Sequence, residues 1–299
     1  MKVNTLMALV KRNGKLFFKD KGLFFTSMVT PLILLVLYVT FLGNVYRDSF
    51  ESSLEEGVTV ADEVMNGLVG GELFSSLLAV CCVTVAFCSN MLMVQDKVSG
   101  ARSDLTIAPV RTSVLALSYY IASFLSTLAI CFAATAAGMI YLYNVGWYLS
   151  ASDILCILAD VFLLVMFGTV LSSIVNFFLS SQGQISAVGT IISAGYGFIC
   201  GAYMPISNFG DGLQKALSFL PGTYGTSLIR NHTMQGVFEE MSQIGFPAEV
   251  IEGIRDGVDC NLYFYGDKVG ISSMYLILGG TVAVLMGIYL LMNRFIRRK

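Results

Sequence analysis

One ionisable side chain stands inside an otherwise apolar stretch, Asp160 within residues 154–179. A charge in a segment of bilayer length is expensive and faces a bundle interior or water, so Asp160 is a candidate for contact with substrate or an ion. Asp153 shares its helical face seven residues earlier. Asp160 is therefore about two turns, ~10 Å, inside one edge and within reach of surface water. Asn176, further along the run, reads as an interhelical hydrogen-bonding residue. The single histidine, His232, has no second candidate ligand and reads as a surface residue rather than a metal ligand or proton relay. Of the seven cysteines, Cys81, Cys82, Cys88, Cys131, Cys156 and Cys200 lie in apolar runs and only Cys260 in a polar stretch. With no CxxC or Cys/His spacing they serve as small apolar filler. GxxxxGK[ST], HExxH and GxSxG are all missing, so the chain does not hydrolyse a nucleotide by the phosphate-loop route. It is not an enzyme by itself, and no cofactor is expected in it.

The densest polar chemistry between apolar runs is the connection from Gln95 to Val110. It is short, charged at its start and closed by Pro109, which biases Ala108 to extended backbone. Such a segment reads as a compact helix with a fixed end.

The elements that must position these residues are membrane helices. The chain has 299 residues, 56% hydrophobic and 13% charged, against about a quarter charged in soluble domains. Apolar runs of about 20 residues, enough to cross a bilayer, cover 23–43, 73–94, 114–143, 154–179, 185–203 and 271–292. Six spans return both termini to one side. Lys2, Lys11, Arg12, Lys15, Lys19, Lys21, Lys97, Arg102, Arg111, Arg294, Arg297, Arg298 and Lys299 fall on that side, and only Arg47, Lys215, Arg230, Arg255 and Lys268 on the other. The bias makes both termini cytoplasmic, in a multi-pass protein of the cell membrane. The acidic run Asp48, Glu51, Glu55, Glu56, Asp62 and Glu63 keeps an outer loop solvated.

Residues 1–22 place Leu6, Leu9, Val10, Leu16 and Phe17 at helical spacing beside a row of Lys11, Lys15 and Lys19, as in an interfacial amphipathic helix. No small-residue cleavage pattern follows, so the first span stays attached as an anchor. Residues 204–270 read as an extracellular segment. A short helix with Leu213, Leu217 and Leu220 is stopped there by Pro221, and another starts at Pro247 with Val250, Ile251 and Ile254. Ser118, Ala122, Ser126, Ala129, Ala133 and Ala137 in the third run, and Ser193, Gly197 and Gly201 in the fifth, are spaced for helix contact, with lining of a permeation path the other reading. No internal duplication is visible, against carriers built from inverted repeats.

In the 95–113 connection, Gly100 and the triplet Ala108-Pro109-Val110 match the E-[RK]-x-x-G-[TS] and [TA]-P-[VI] ends that bracket the coupling helix of type 2 ABC transporter permeases, with Asp96-Lys97 where Glu-Arg is usual. Gly201-Ala202-Tyr203-Met204-Pro205-Ile206 and Leu220-Pro221-Gly222-Thr223-Tyr224 are similar to the G-x-[FY]-x-P-x and LP-x-T-[YW] signature of the same family. The chain therefore resembles that family over nearly its whole length.

The resemblance implies an all-α integral membrane domain over 1–299 that works as an export permease. It pairs with a second copy or paralogue and couples to two copies of a separate ABC ATPase, which bind the ATP and Mg. Asp96, Lys97, Gly100, Arg102, Asp104 and Pro109 would make the coupling contact, and Pro205 and Pro221 would shape the outer gate. Substrate would be an amphipathic drug, peptide or lipid. Membrane lipid is the remaining partner, and no nucleic acid is expected. An ion-coupled carrier or channel using Asp160, or a scaffold that moves nothing, are the rival readings. The charge bias also makes a topological prediction. In a background without native cysteines, a membrane-impermeant thiol reagent should label cysteine at Ser242 from outside and not at Ser99. Outside labelling at Ser99 reverses the orientation.

Overall fold

The computed structural model describes residues 2–52, 60–107 and 110–295. Helix α1 covers Lys2–Lys19, and α2, Lys21–Leu37, starts where the Asp20 carboxylate accepts from the Leu23 backbone N–H at 3.1 Å. A single π turn, Tyr38–Leu42, joins α2 without a break to α3, Gly43–Ser52. Then follow α4, Asp62–Asn90; α5, Leu92–Val98; α6, Ala101–Ile107; α7, Thr112–Val145; α8, Ala151–Phe178; and α9, Gln182–Ile199. A 3-10 turn, Ile206–Asn208, leads into α10, Asp211–Leu217, α11, Pro221–Gln243, and α12, Ala248–Gly257. An antiparallel pair, β1 Leu262–Phe264 and β2 Asp267–Val269, precedes α13, Ile271–Phe295.

Helix α4 is the axis. It packs against α2, α7, α8, α9 and α11, and from Val64 to Asn90 nearly every side chain is buried. A helix apolar all round with few charges belongs inside a bundle. Its polar residues find partners across helices: Ser89 Oγ meets Thr127 Oγ1 at 2.9 Å, and the Asn90 amide donates to Ser172 and Ser173 at 3.0 and 2.7 Å. Close approach is set by glycine. A Cβ on Gly168 of α8 would come within 2.9 Å of the Cys82 carbonyl, and one on Gly236 of α11 within 1.8 Å of the Tyr148 carbonyl. The first half of the small-residue stripe on α7, Ser118, Ala122 and Ser126, is buried as spaced, but Ala129, Ala133 and Ala137 face outward.

Among the described residues, five helices are long and apolar enough to cross a membrane: 21–51, 62–98, 112–145, 151–178 and 271–295. The expected sixth is the difference. Residues 185–203 give α9, Gln182–Ile199, whose 18 residues are long enough but, with Gln182, Gln184 and several glycines and serines, less apolar than the other five. The chain then turns at Gly201, φ +76°. Leu9 of α1, Leu92 of α5, Leu115 of α7 and Met292 of α13 nevertheless meet in one cluster, so α1 and the end of α13 share one end of the bundle, the basic end. The rest of the passage to the opposite end is made by α11.

That helix is the largest departure from the sequence reading. The short helix expected before Pro221 is there as α10, but Pro221 also opens the first turn of a 23-residue helix that the sequence did not suggest, where its missing N–H costs nothing. Helix α11 lies between α4, α8 and α13. Its run Gly-Thr-Tyr-Gly-Thr-Ser hides no apolar stripe to read, because it is buried on most sides and its polar groups are satisfied locally. The Thr226 and Thr233 hydroxyls donate to carbonyls four residues back.

Arg230, counted from sequence as an outer-loop charge, is fully buried on α11. Its Nε lies 2.6 Å from Glu72 Oε2 of α4, its Nη2 donates to Ser76 Oγ at 2.9 Å and to the Gly201 carbonyl at 3.1 Å, and Nη1 is 3.8 Å from Asp259 Oδ2. Asp259 in turn accepts from the backbone N–H of Ile206, and from that of Ser207 at 3.1 Å. One guanidinium thus ties α4, α11, the turn after α9 and the segment before β1. Removing one partner of a buried ion pair strands the other charge and costs roughly 3–5 kcal/mol. Arg230→Leu should lower the unfolding midpoint of detergent-solubilised protein by an amount on that scale, whereas Arg255→Leu at the half-exposed surface should leave it nearly unchanged. Equal midpoints for both variants contradict this role.

Candidate functional site

At the basic end, α5 continues the line of α4 beyond Met91 and runs between α1, α8 and α9. Asp96 is buried. Its carboxylate receives Arg12 of α1 through two nitrogens at 2.6 and 3.2 Å and the Tyr119 hydroxyl of α7 at 2.5 Å. The hydrogen bond to Asp96 raises the Arg12 pKa, against partial burial. Lys97 reaches the other way. Its Nζ donates to the carbonyls of Asn176, Phe177 and Leu179 at 2.9, 2.9 and 3.1 Å. These include the last carbonyls of α8, where no intrahelical donor remains and a cation is favoured. Asp96 and Lys97 are therefore braces inside the protein, not rim charges of an exposed loop.

Beyond them the chain turns at Gly100, whose φ of +82° is the left-handed region that suits glycine and whose surroundings are open. The exposed part of the connection is α6. Asp104 faces outward, Arg102 is half-buried, and Ile107 is an apolar side chain 84% exposed. Pro109 lies outside the described residues.

Asp160 is fully buried on α8, and both its oxygens are occupied. Oδ2 lies 2.6 Å from His232 Nδ1 of α11, and Oδ1 accepts from the Tyr275 hydroxyl of α13. His232 is not a surface-loop residue; only 14% of its side chain is exposed, and it closes a three-helix contact. Sequence reasoning missed it because its partner is 72 residues away on another helix. Asn176 differs as well. It offers Lys97 its backbone carbonyl, and its buried side-chain nitrogen has no hydrogen-bonding partner among the described residues. Asn90, not singled out from sequence, makes the interhelical bonds instead.

Pro205 is buried and leads the 3-10 turn whose first N–H groups bind Asp259, while Pro221 opens α11. The two prolines thus bracket α10 on either side of the Arg230 cluster. Between α2 and α9 runs a groove of about 1040 Å³. Thr26, Thr30, Ser186, Thr190 and Ser193 form a polar seam along its apolar walls, and Asp20, Gln95 and Gln182 stand at its basic end.

Compared with known protein families, residues 4–233 match the model described as ABC-2 type transporter. No curated protein matches the chain.

The Asp160 contact is tested by taking one partner away. His232→Leu strands the buried carboxylate and should lower the unfolding midpoint of detergent-solubilised protein. An unchanged midpoint removes the contact as a brace of α8, α11 and α13.

Proposed function

The chain belongs to the ABC-2 type transporter family and is the permease component of an ABC transporter; we propose that it is an export permease, paired with a second copy or a paralogue and driven by a separate ATPase docked on α1 and α6. The observation that carries this reading is the double brace at the basic end. A docking segment transmits force only if it cannot slide against the spans behind it. Asp96 fixes α5 to α1 and α7, and Lys97 fixes it to the end of α8, so a push on α6 reaches three helices at once. The exposed Asp104 and Ile107 then form the contact itself, and Gly100 permits the sharp turn that presents them.

The ATPase subunits, one on each permease, bind ATP and Mg, and their closure rocks the braced helices. The groove between α2 and α9 supports the substrate class. Its hydroxyl-seamed apolar wall suits an amphipathic drug, peptide or lipid, and a second permease closes its open side. Pro205 and Pro221 hold the turns around α10, where substrate leaves outward. The ion-carrier reading is weakened by Asp160, whose two oxygens are taken up by His232 and Tyr275. With the basic end cytoplasmic, the protein sits in the cell membrane with both termini inside.

The test is co-expression of permease and ATPase. Ile107→Asp, on an exposed side chain, should leave insertion and thermal stability unchanged while copurified ATPase and substrate-stimulated ATP hydrolysis fall several-fold. Asp96→Asn should instead lower the thermal midpoint and uncouple hydrolysis from transport while the ATPase still binds. Full ATPase recovery and normal transport in Ile107→Asp would falsify the docking assignment.

A further inference from the structure

The groove between α2 and α9 carries its polar groups in rows. Thr26 and Thr30 stand one turn apart on α2, Ser186, Thr190 and Ser193 follow one another along α9, and all five line the groove. A hydroxyl inside a helix is commonly satisfied by a carbonyl three or four residues back. Thr40, Thr190 and Thr281 are bonded in that way. The hydroxyls of Thr26, Thr30, Ser186 and Ser193 make no hydrogen bond among the described residues. Two facing walls thus present unused donors and acceptors to the same space, and the Thr190 oxygen can still accept.

Four residues of helix rise about 6 Å, so Thr26 to Thr30 and Ser186 to Thr190 repeat at that spacing. An extended peptide turns its backbone N–H and C=O to the same side at every second residue, about 6.6 Å apart. The match holds on both walls, one for each edge of the chain. Beside the hydroxyls, Val29, Ile33 and Leu37 form an apolar row on α2, with Ile185 and Phe198 on α9, against which alternate side chains can lie. From Asp20 to Leu42, α2 and its π turn line about 30 Å of groove, the length of about nine extended residues. An acyl chain offers these hydroxyls nothing.

Charge is equally selective. Asp20 is the only formally charged residue lining the groove, and it stands at the basic end with the amides of Gln95 and Gln182. One of its oxygens caps α2 through the Leu23 N–H, and it makes no ion pair among the described residues. Lys19 and Lys21, next to it in the chain, do not line the groove. We propose that the groove binds an apolar peptide in extended conformation, its backbone bonded to the two hydroxyl rows and its free amino terminus at Asp20. This inference rests on the groove being the substrate site, and it selects peptide from the substrate classes named above.

Full-length protein in nanodiscs, without ATPase, is titrated with three fluorescent probes: an eight-residue Ala/Leu/Val peptide labelled at its C-terminus, the same peptide N-acetylated, and a labelled long-chain alkylammonium. The free peptide should bind, and acetylation, or Asp20→Asn, which keeps a capping side chain, should weaken it about tenfold. Thr30→Val combined with Ser186→Ala should weaken peptide binding more than about tenfold, each hydroxyl contributing roughly fivefold. The same variant should leave alkylammonium binding and the unfolding midpoint unchanged. Peptide affinity untouched by loss of the hydroxyls overturns the extended-chain assignment. Tight alkylammonium binding with no peptide binding overturns it in favour of a lipid-like substrate. If Ser186→Trp, which fills the groove, alters the binding of none of the probes, the groove is not the substrate site and the reading beneath the proposal fails with it.

Discussion

A guanidinium buried without exposure must be answered by carboxylates, and that requirement at Arg230 organises half of the molecule. Desolvating such a charge costs several kcal/mol even after relaxation, and the cost is met only where geometry supplies counter-charges and further acceptors. Glu72 supplies one from α4, Asp259 a second from beyond α12, and Ser76 and the Gly201 carbonyl accept from Nη2. None of these is near Arg230 in sequence. Three stretches that would otherwise be loosely joined converge on a single point, and the turn after α9 takes its shape from it. Burial raises the pKa of Asp259, against the pull of Arg230 and of two backbone N–H groups, so the cluster is held by balance rather than by excess charge.

The basic end works by the same logic with a different outcome. Asp96 and Lys97 are adjacent, yet they brace opposite neighbours: one an arginine and a tyrosine, the other a set of carbonyls at the end of α8. A charged pair in a loop normally adds little, because exposed ion pairs are screened and flexible. These two gain from burial and from acceptors that the helix end leaves unsatisfied. The stiff part of the molecule is thus the root of the α5–α6 segment, and its free part is α6. Stiffness behind and exposure in front is the arrangement a docking element needs.

Much of this was legible in the sequence. Three of the long apolar runs, 114–143, 154–179 and 271–292, became long helices at nearly the expected places, because length and composition suffice where every side chain meets either lipid or an apolar neighbour. The first run extended further, through the π turn into α3, and the second, read from residue 73, already begins at Asp62. The connection at 95–113 was recognisable from Gly100 and its charged start. What stayed hidden was α11. A helix buried on most sides by other helices carries no amphipathic stripe, and its Arg230, Asn231 and His232 look like a hydrophilic loop until their partners on α4, α8 and α13 are in place. The burial of Asp96 stayed hidden for a related reason: sequence marks a charge, not the arginine 84 residues earlier that pairs with it. Asp160 was rightly singled out as costly, but the histidine that answers it could not be paired from spacing alone.

The π turn at Tyr38–Leu42 has a bearing on helix length. Tyr46 lies eight residues after Tyr38, and in an uninterrupted α-helix the two would diverge by about 80° around the axis. Yet Leu34, Tyr38, Tyr46 and Phe50 all point into the same core. The wider turn cancels that phase error, bringing α3 back into step with α2 and laying both along α4. The helix is in this sense geared: its two halves mesh with the same rack only because one tooth is broader than the rest. Straightening the turn into ordinary α-helix without losing a residue would leave a second half that faced the wrong way, with Tyr46 and Phe50 turned out of the core, whereas loss of a single residue between Tyr38 and Leu42 would remove the broad tooth and keep the two tyrosines, then seven residues apart, within about 20° of each other.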